Sequence, residues 1–249
     1  MIRVSMKDIS AGAGRIGLIT LDRPEKKNAL TPEMLDRLIG AVGEVRQASA
    51  IVLEGNGAAF CAGFDLTLCR ENSDALRVLL TGLSRAIRVL RACEGPVVIA
   101  AHGAALAGGC ALLGGADYVV THTEAKIGYP VVRLGVSPAV SAPFLRQSIG
   151  DGRTRERMLD SSLISGWDAL RMGLAHECIE DAGKVRDRAM VVAEQFTAKP
   201  RWGLAATKRW MNEVDGSGDD ARAEGGLEAS LALVGSPEER ERLAALWKN

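Results

Sequence analysis

The stretch from Pro96 to Thr121 constrains the fold more than any other. Pro96–Ala101 (PVVIAA) is a continuous apolar run, the pattern of a strand buried on both faces. It leads into a glycine-rich segment, His102–Leu113 (HGAALAGGCALL), which reads as a tight turn opening a short buried helix. A second apolar run, Ala116–Thr121 (ADYVVT), follows at once. A strand with no polar face needs cover on both sides, so this stretch belongs at the centre of a layered α/β structure.

The same rhythm recurs along the chain. Arg15–Leu21 (RIGLITL) is strand-like and stops at the turn signal Asp22-Arg23-Pro24. Thr31-Pro32-Glu33 reads as N-cap, proline at N1 and an acid in the first turn. Met34, Leu35, Leu38, Ile39, Val42 and Val45 then recur at helical spacing. Ala50–Leu53 is a further strand, and from Ser73 a helix carries Leu76, Leu79, Leu80, Leu83, Ile87 and Leu90 on one face. Strands alternating with helices predict parallel β structure with crossovers, and no exact repeat is visible. Past about residue 185 the strand signals stop, and helices are expected over Val185–Phe196, Arg201–Val214, Leu227–Val234 and Pro237–Trp247, with Asp215–Asp220 as a connector. The expected division is a core of residues 1–190 and a helical module of residues 191–249.

Composition excludes several classes. Across 249 residues, 31 Lys+Arg balance 31 Asp+Glu, so nucleic acid and anionic membrane surfaces are not expected partners. No apolar run is long enough to span a bilayer, and the start, MIRVSMKDIS, has no secretory h-region. The five cysteines, Cys61, Cys69, Cys93, Cys110 and Cys178, contain no C-x-x-C pair and read as free thiols of a reducing compartment, so a cytoplasmic location is expected. Three widely spaced histidines argue against a catalytic metal, and no metal or separate cofactor is expected. Neither a phosphate-binding P-loop, a dinucleotide fingerprint, a G-x-S-x-G elbow nor an H-E-x-x-H helix is present.

Two loops stand out as sites for chemistry. Ala58–Leu66 (AAFCAGFDL) leaves a strand for a helix-like segment, and His102–Leu113 leaves the PVVIAA strand. Glycine-rich turns feeding helices present free backbone N–H groups, which can hold an anion or an oxyanion formed during reaction; simple tight packing explains the glycines equally well.

In order along the chain, Leu21-Asp22-Arg23-Pro24, Lys27-Asn28-Ala29-Leu30, Ala59–Leu66, Pro96–Ala101 leading into Ala107-Gly108-Gly109-Cys110, Ala116-Asp117, Pro130–Pro138 (PVVRLGVSP) and Leu174-Ala175 resemble the crotonase, or enoyl-CoA hydratase/isomerase, superfamily. The resemblance implies an α/β crotonase-like spiral of ββα units with a C-terminal helical trimerisation module, forming trimers often paired into hexamers. It implies an acyl-CoA or acyl-carrier thioester as ligand, with coenzyme A entering as part of the substrate. The N–H groups of Phe64 and Gly108 are then the oxyanion hole, and Lys27, Ala29, Ala62, Asp65 and Leu66 match the CoA-binding segments. Asp65 also fits as a cap of the following helix, the role favoured here. The family's basic and aromatic C-terminal tail is shortened to Trp247-Lys248-Asn249, where Lys248 stands as a partial replacement.

One departure bears directly on the reaction. Family hydratases use one glutamate three residues after the oxyanion glycine and another after the proline of the later segment; here those positions hold Ala111 and Val131. A third acid position, used by some isomerases, holds Ala139. Each general acid or base is worth about 10²–10⁴ in rate, so ordinary hydration is not expected. Decarboxylation of a malonyl-type or vinylogous thioester, which needs only a stabilised enolate, and an acyl-CoA-binding pseudoenzyme are the alternatives. Tyr129, two residues before Val131, is a candidate pocket acid or a packing residue. His102 is expected to support its turn, and His122 and His176 to lie on the surface. Cys61 and Cys110 read as inert buried thiols. Arg133 reads as a solvated or intersubunit charge or the partner of an acidic acyl group, and Glu71, Asp74 and Glu124 are charges that sequence does not place.

Overall fold

The computed structural model describes residues 1–9, 14–72 and 74–246, without the side chain of Glu71. Val, Ile and Ala runs form the strands of a six-stranded sheet in the order β1-β2-β3-β4-β6-β8. Its members are β1 (Ile2–Asp8), β2 (Arg15–Leu21), β3 (Ala50–Gly55), β4 (Val97–Ala101), β6 (Tyr118–His122) and β8 (Glu177–Ile179). β1 pairs antiparallel to β2, and every other pair is parallel. Strands β5 (Ala104–Leu106) and β7 (Lys126–Gly128) form a separate parallel pair.

Alternation along β3 and β4 divides the core. Ile51, Leu53, Val97 and Ile99 face one cluster with the buried stripes of α1 (Pro32–Glu44) and α3 (Ala75–Arg91). Ala50, Val52, Val98 and Ala100 face a smaller cluster with Val185, Ala189, Val192 and Ala193 of α7 (Val185–Thr197). Thr31 caps α1 as its sequence implies, its side chain accepting from Met34 N–H at 3.2 Å. The helix expected from Ser73 runs over Ala75–Arg91; Ser73 lies outside the described residues.

Several elements go beyond the sequence reading. β1 is an edge strand with an alternating but half-exposed pattern. α2 (Leu68–Glu71), α4 (Gly108–Leu112), α5 (Ala142–Leu159, broken at Gly150, φ 75°) and α6 (Gly166–Met172) occupy the connections. α8 covers Arg201–Val214, as its spacing predicts. α9 runs over Asp220–Leu231, seven residues earlier than its apolar residues suggest, because Asp219 caps it by accepting from Ala221 N–H at 2.9 Å. α10 covers Pro237–Leu246, and Trp247, Lys248 and Asn249 lie outside the described residues. A division at residues 190 and 191 falls inside α7, whose apolar face is part of the sheet core.

Candidate active site

The frame begins at a buried asparagine. Lys27 and Asn28 adopt left-handed backbone conformations, φ 49° and 56°. The Asn28 side chain accepts from Arg23 N–H at 2.8 Å and donates to Asn56 O at 2.9 Å and Ala59 O at 2.8 Å. Those three bonds hold the strained turn against the loop after β3. Across that seam Ala62 N–H donates to Lys27 O at 3.0 Å, Leu30 N–H to Gly63 O at 2.7 Å, and Asp65 N–H to Leu30 O at 2.9 Å. The seam joins the segments that carry Lys27, Ala29, Ala62, Asp65 and Leu66, with Lys27 exposed and Ala29, Ala62 and Leu66 half-buried.

A second seam joins this loop to the glycine-rich segment. Cys61 N–H donates to Ala104 O and Leu106 N–H to Cys61 O, both at 3.0 Å. Gly63 takes φ 97°, and a Cβ there would lie 3.0 Å from Leu106 O and 3.7 Å from Gly108 N. Only a glycine lets the two backbones approach this closely. Ala107, at φ 51° and ψ −113°, is held by its N–H bond to Gly128 O at 2.8 Å and turns the chain into α4 at Gly108. Among the described residues neither Phe64 N–H nor Gly108 N–H donates to a backbone acceptor.

A cavity of about 20 Å³ opens beside this frame, bordered by Phe64, Gly108, Ala111, Tyr129, Val131 and Ser141. That volume holds about one water molecule. Leu80 and Leu83 of α3 close it from above, and Val136, Pro138 and Val140 complete the apolar wall. No Asp, Glu, Lys, Arg or His is among the described residues that border it. Leu80 and Leu83 read as ordinary core from their helical spacing, and Ser141 carried no signal at all in the sequence.

Tyr129 borders the cavity and is 3% exposed. Burial and the neighbouring Cys110 hold its phenol protonated well above the ordinary tyrosine range. Ala139 does not border the cavity. It sits on the 3-10 turn Pro138–Ser141 against α9, where a Cβ on Gly226 would lie 2.7 Å from its carbonyl oxygen. Asp65 is buried, its carboxylate 2.7 Å from Arg23 Nη2 and accepting from Thr67 N–H at 3.2 Å and Thr67 O–H at 2.6 Å. Burial alone would raise its pKa, but the Thr67 and Arg23 hydrogen bonds outweigh that and hold it below the usual carboxylate range. Those bonds hold the turn into α2.

His102 supports its turn through a 2.9 Å contact between Nε2 and Gly57 O. His122, expected on the surface, is instead buried at 6% exposure, because its Nε2 accepts Gly103 N–H at 2.9 Å and so ties β6 to the glycine-rich turn. His176 is exposed and accepts Val119 N–H at Nδ1, 3.1 Å away. Burial pushes the Cys61 and Cys110 thiols up to about 12, so neither is a nucleophile at neutral pH. Arg133 donates to Ser161 Oγ at 2.7 Å on the exposed face, and Asp74 and Glu124 are exposed and away from the cavity. The Glu71 side chain and Lys248 lie outside what the structure describes. Among the described residues no three His, Cys, Asp or Glu side chains gather as metal ligands, and no helix is long and apolar enough to cross a membrane.

This is an α/β fold in which two loops after parallel strands meet beside an apolar pocket. Residues 11–229 match the family model for enoyl-CoA hydratase/isomerase, and the chain belongs to that family, the crotonase superfamily of enzymes acting on acyl-CoA. It is similar to the short-chain-enoyl-CoA hydratase of Clostridium acetobutylicum, 27% identical over 206 residues, 80% of this chain and 78% of that protein. It is also similar to the crotonyl-CoA hydratase of Syntrophomonas wolfei, 26% identical over 80% of this chain and 78% of that one. In structure it resembles an enoyl-CoA hydratase/isomerase from Xanthobacter autotrophicus Py2, with a TM-score of 0.86, 25% identity, and coverage of 99% of this chain and 93% of the other. The α/β crotonase fold with C-terminal helices is thereby shown.

Proposed function

We propose that the chain binds an acyl-CoA thioester and stabilises its enolate through the N–H groups of Phe64 and Gly108. The observation that carries this reading is a pair of backbone N–H groups without backbone acceptors on two loops that meet at Gly63, where a Cβ would lie 3.7 Å from Gly108 N. Two fixed donors in a dry pocket are worth far more to an oxyanion than the same groups in water, and losing one costs about 10²–10³ in rate. Lys27, Ala29, Ala62, Asp65 and Leu66 hold the CoA end. Asp65 acts through Arg23 and Thr67 to shape the loop, and exposed Lys27 offers its charge to phosphate.

The reaction is not ordinary hydration. Ala111 and Val131 stand where a hydratase of this family needs its acid and base, and Ala139 supplies no substitute. A base-free route fits better: a malonyl-type or vinylogous acyl thioester loses CO₂ when its carboxylate is brought into a pocket without water or counter-charge. The apolar wall of the cavity favours this reading. A panel of thioesters (crotonyl-, malonyl-, methylmalonyl- and glutaconyl-CoA) with mass-spectrometric readout tests it. CO₂ loss from one of the last three is the expected result, whereas tight binding with no product from any would make the chain a non-catalytic acyl-CoA-binding protein.

Self-association as a trimer, or as paired trimers, through the helical part of residues 191–249 completes the proposal. Trp202, Trp210, Met211 and Val214 of α8 leave an apolar face at half exposure or more, which such a contact would cover. A cytoplasmic location accords with five free thiols.

A further inference from the structure

Among the described residues that border the cavity beside Phe64 and Gly108, Tyr129 is the one titratable side chain. Tyr129 follows Gly128, whose carbonyl accepts the Ala107 N–H at 2.8 Å. One hydrogen bond therefore couples the residue before the phenol to the residue before Gly108. Gly108 and Tyr129 border the same space of about 20 Å³, so an atom held there touches both sides. The phenol's polar neighbours are Ser141 and Cys110. Ser141, 1% exposed, donates to Pro138 O at 2.9 Å, which fixes its hydroxyl beside the phenol. The turn carrying Ser141 is itself fixed from α9: Val140 N–H donates to Ser230 Oγ at 2.8 Å, and Ser230 O–H donates to Ser137 O at 3.0 Å.

We propose that Tyr129, positioned by Ser141, is the general acid of this pocket and delivers its phenolic proton to the α-carbon of the enolate. The proposal rests on the enolate-forming, decarboxylating reading above. In that reaction the bond between the α-carbon and the carboxylate breaks. Its electron pair passes into the enolate held by Phe64 and Gly108, and CO₂ leaves. The Tyr129 O–H bond then breaks, its proton forms the new C–H bond, and the phenolate recovers a proton from water. One proton is consumed for each CO₂ released. An enolate carbon is a far stronger base than a phenolate, so the transfer runs downhill even from a phenol that burial holds protonated. The same burial makes the phenol useless as a base at neutral pH, which suits a pocket that gives a proton and takes none.

Methylmalonyl-CoA turned over in D₂O tests this, because the propionyl-CoA formed carries one deuterium whose configuration reports which face received it. The expected wild-type product is a single configuration. Tyr129→Phe should give label in both configurations, because the C–C bond breaks before the proton arrives and water then replaces the phenol. Ser141→Ala should mix the configurations partly, and Ser141→Thr should restore a single one. Unchanged affinity for propionyl-CoA checks that each variant keeps its fold, and Ser141→Ala carries the test if Tyr129→Phe does not fold. A single configuration retained by both Tyr129→Phe and Ser141→Ala would overturn the proposal alone. A wild-type protein that binds the ester and releases no CO₂ would overturn it together with the reading it rests on.

Discussion

The two sides of the cavity are built by opposite means. One side is backbone: the loops carrying Gly63, Phe64, Ala107 and Gly108 are set by main-chain hydrogen bonds from 2.7 to 3.0 Å long, and Gly63 and Gly108 matter by lacking a side chain. The far side is made of side chains: Tyr129 and Val131 stand at the start of the 3-10 turn Pro130–Leu134, and Val140 and Ser141 on the turn Pro138–Ser141, which Ser230 of α9 clamps through its hydroxyl. A backbone site survives wide sequence change, whereas a side-chain site changes its chemistry with two or three substitutions. Membership of the family therefore speaks for the first side, and the reaction is decided on the second.

Each side can be broken separately. The largest effect is expected from Gly63→Ala, whose Cβ would meet Leu106 O at 3.0 Å with φ at 97°. The shift it forces on Phe64 N should lower turnover of whichever thioester reacts by about 10²–10³, the loss expected for one oxyanion donor. On the far side, Ser230→Ala leaves Val140 N–H without its acceptor and should cost about 1–3 kcal/mol in urea unfolding, with little change in affinity for the CoA end.

The next effect is one of pH. Burial, with His102 nearby, holds the His122 pKa below its unfolded value, so the neutral ring that accepts Gly103 N–H is the folded form. Its contribution is fully present above the unfolded value of about 6.5 and is lost as pH falls through the lower folded value. Thermal unfolding of wild type should therefore weaken below about pH 6.5 more steeply than that of His122→Ala. The smallest effect is a gain. Ala107 sits at φ 51°, where a side chain is strained, and Ala107→Gly should stabilise the fold by about 1 kcal/mol, the relief exceeding the entropy that glycine adds to the unfolded chain.

What the sequence made legible follows the same line. Continuous apolar runs and helical stripes marked β2, β3, β4, β6, α1, α3 and α8, because burial on one or both faces leaves a period that a reader can count. β5 and β7 are three residues each, too short for any period, and β1 is an exposed edge. At the site, the glycine-rich composition marked the two loops, and the resemblance to the crotonase superfamily pointed to Phe64 and Gly108 within them. Ser141 and Ser230 gave no such sign, since a lone serine in a helical or turn segment is common, and their importance comes from which backbone groups the fold leaves facing them. His122 reads as surface in the sequence; the Gly103 N–H that it accepts is a fact of three dimensions.

Crotonyl-CoA hydration, followed by loss of the conjugated thioester absorbance with binding measured in parallel, tests the central claim most directly. The account predicts that the ester binds but is hydrated far below the ordinary enzymatic range of about 1–10³ s⁻¹, because Ala111 and Val131, proposed to occupy the two carboxylate positions of a hydratase, supply no acid or base. Hydration within that range would contradict it.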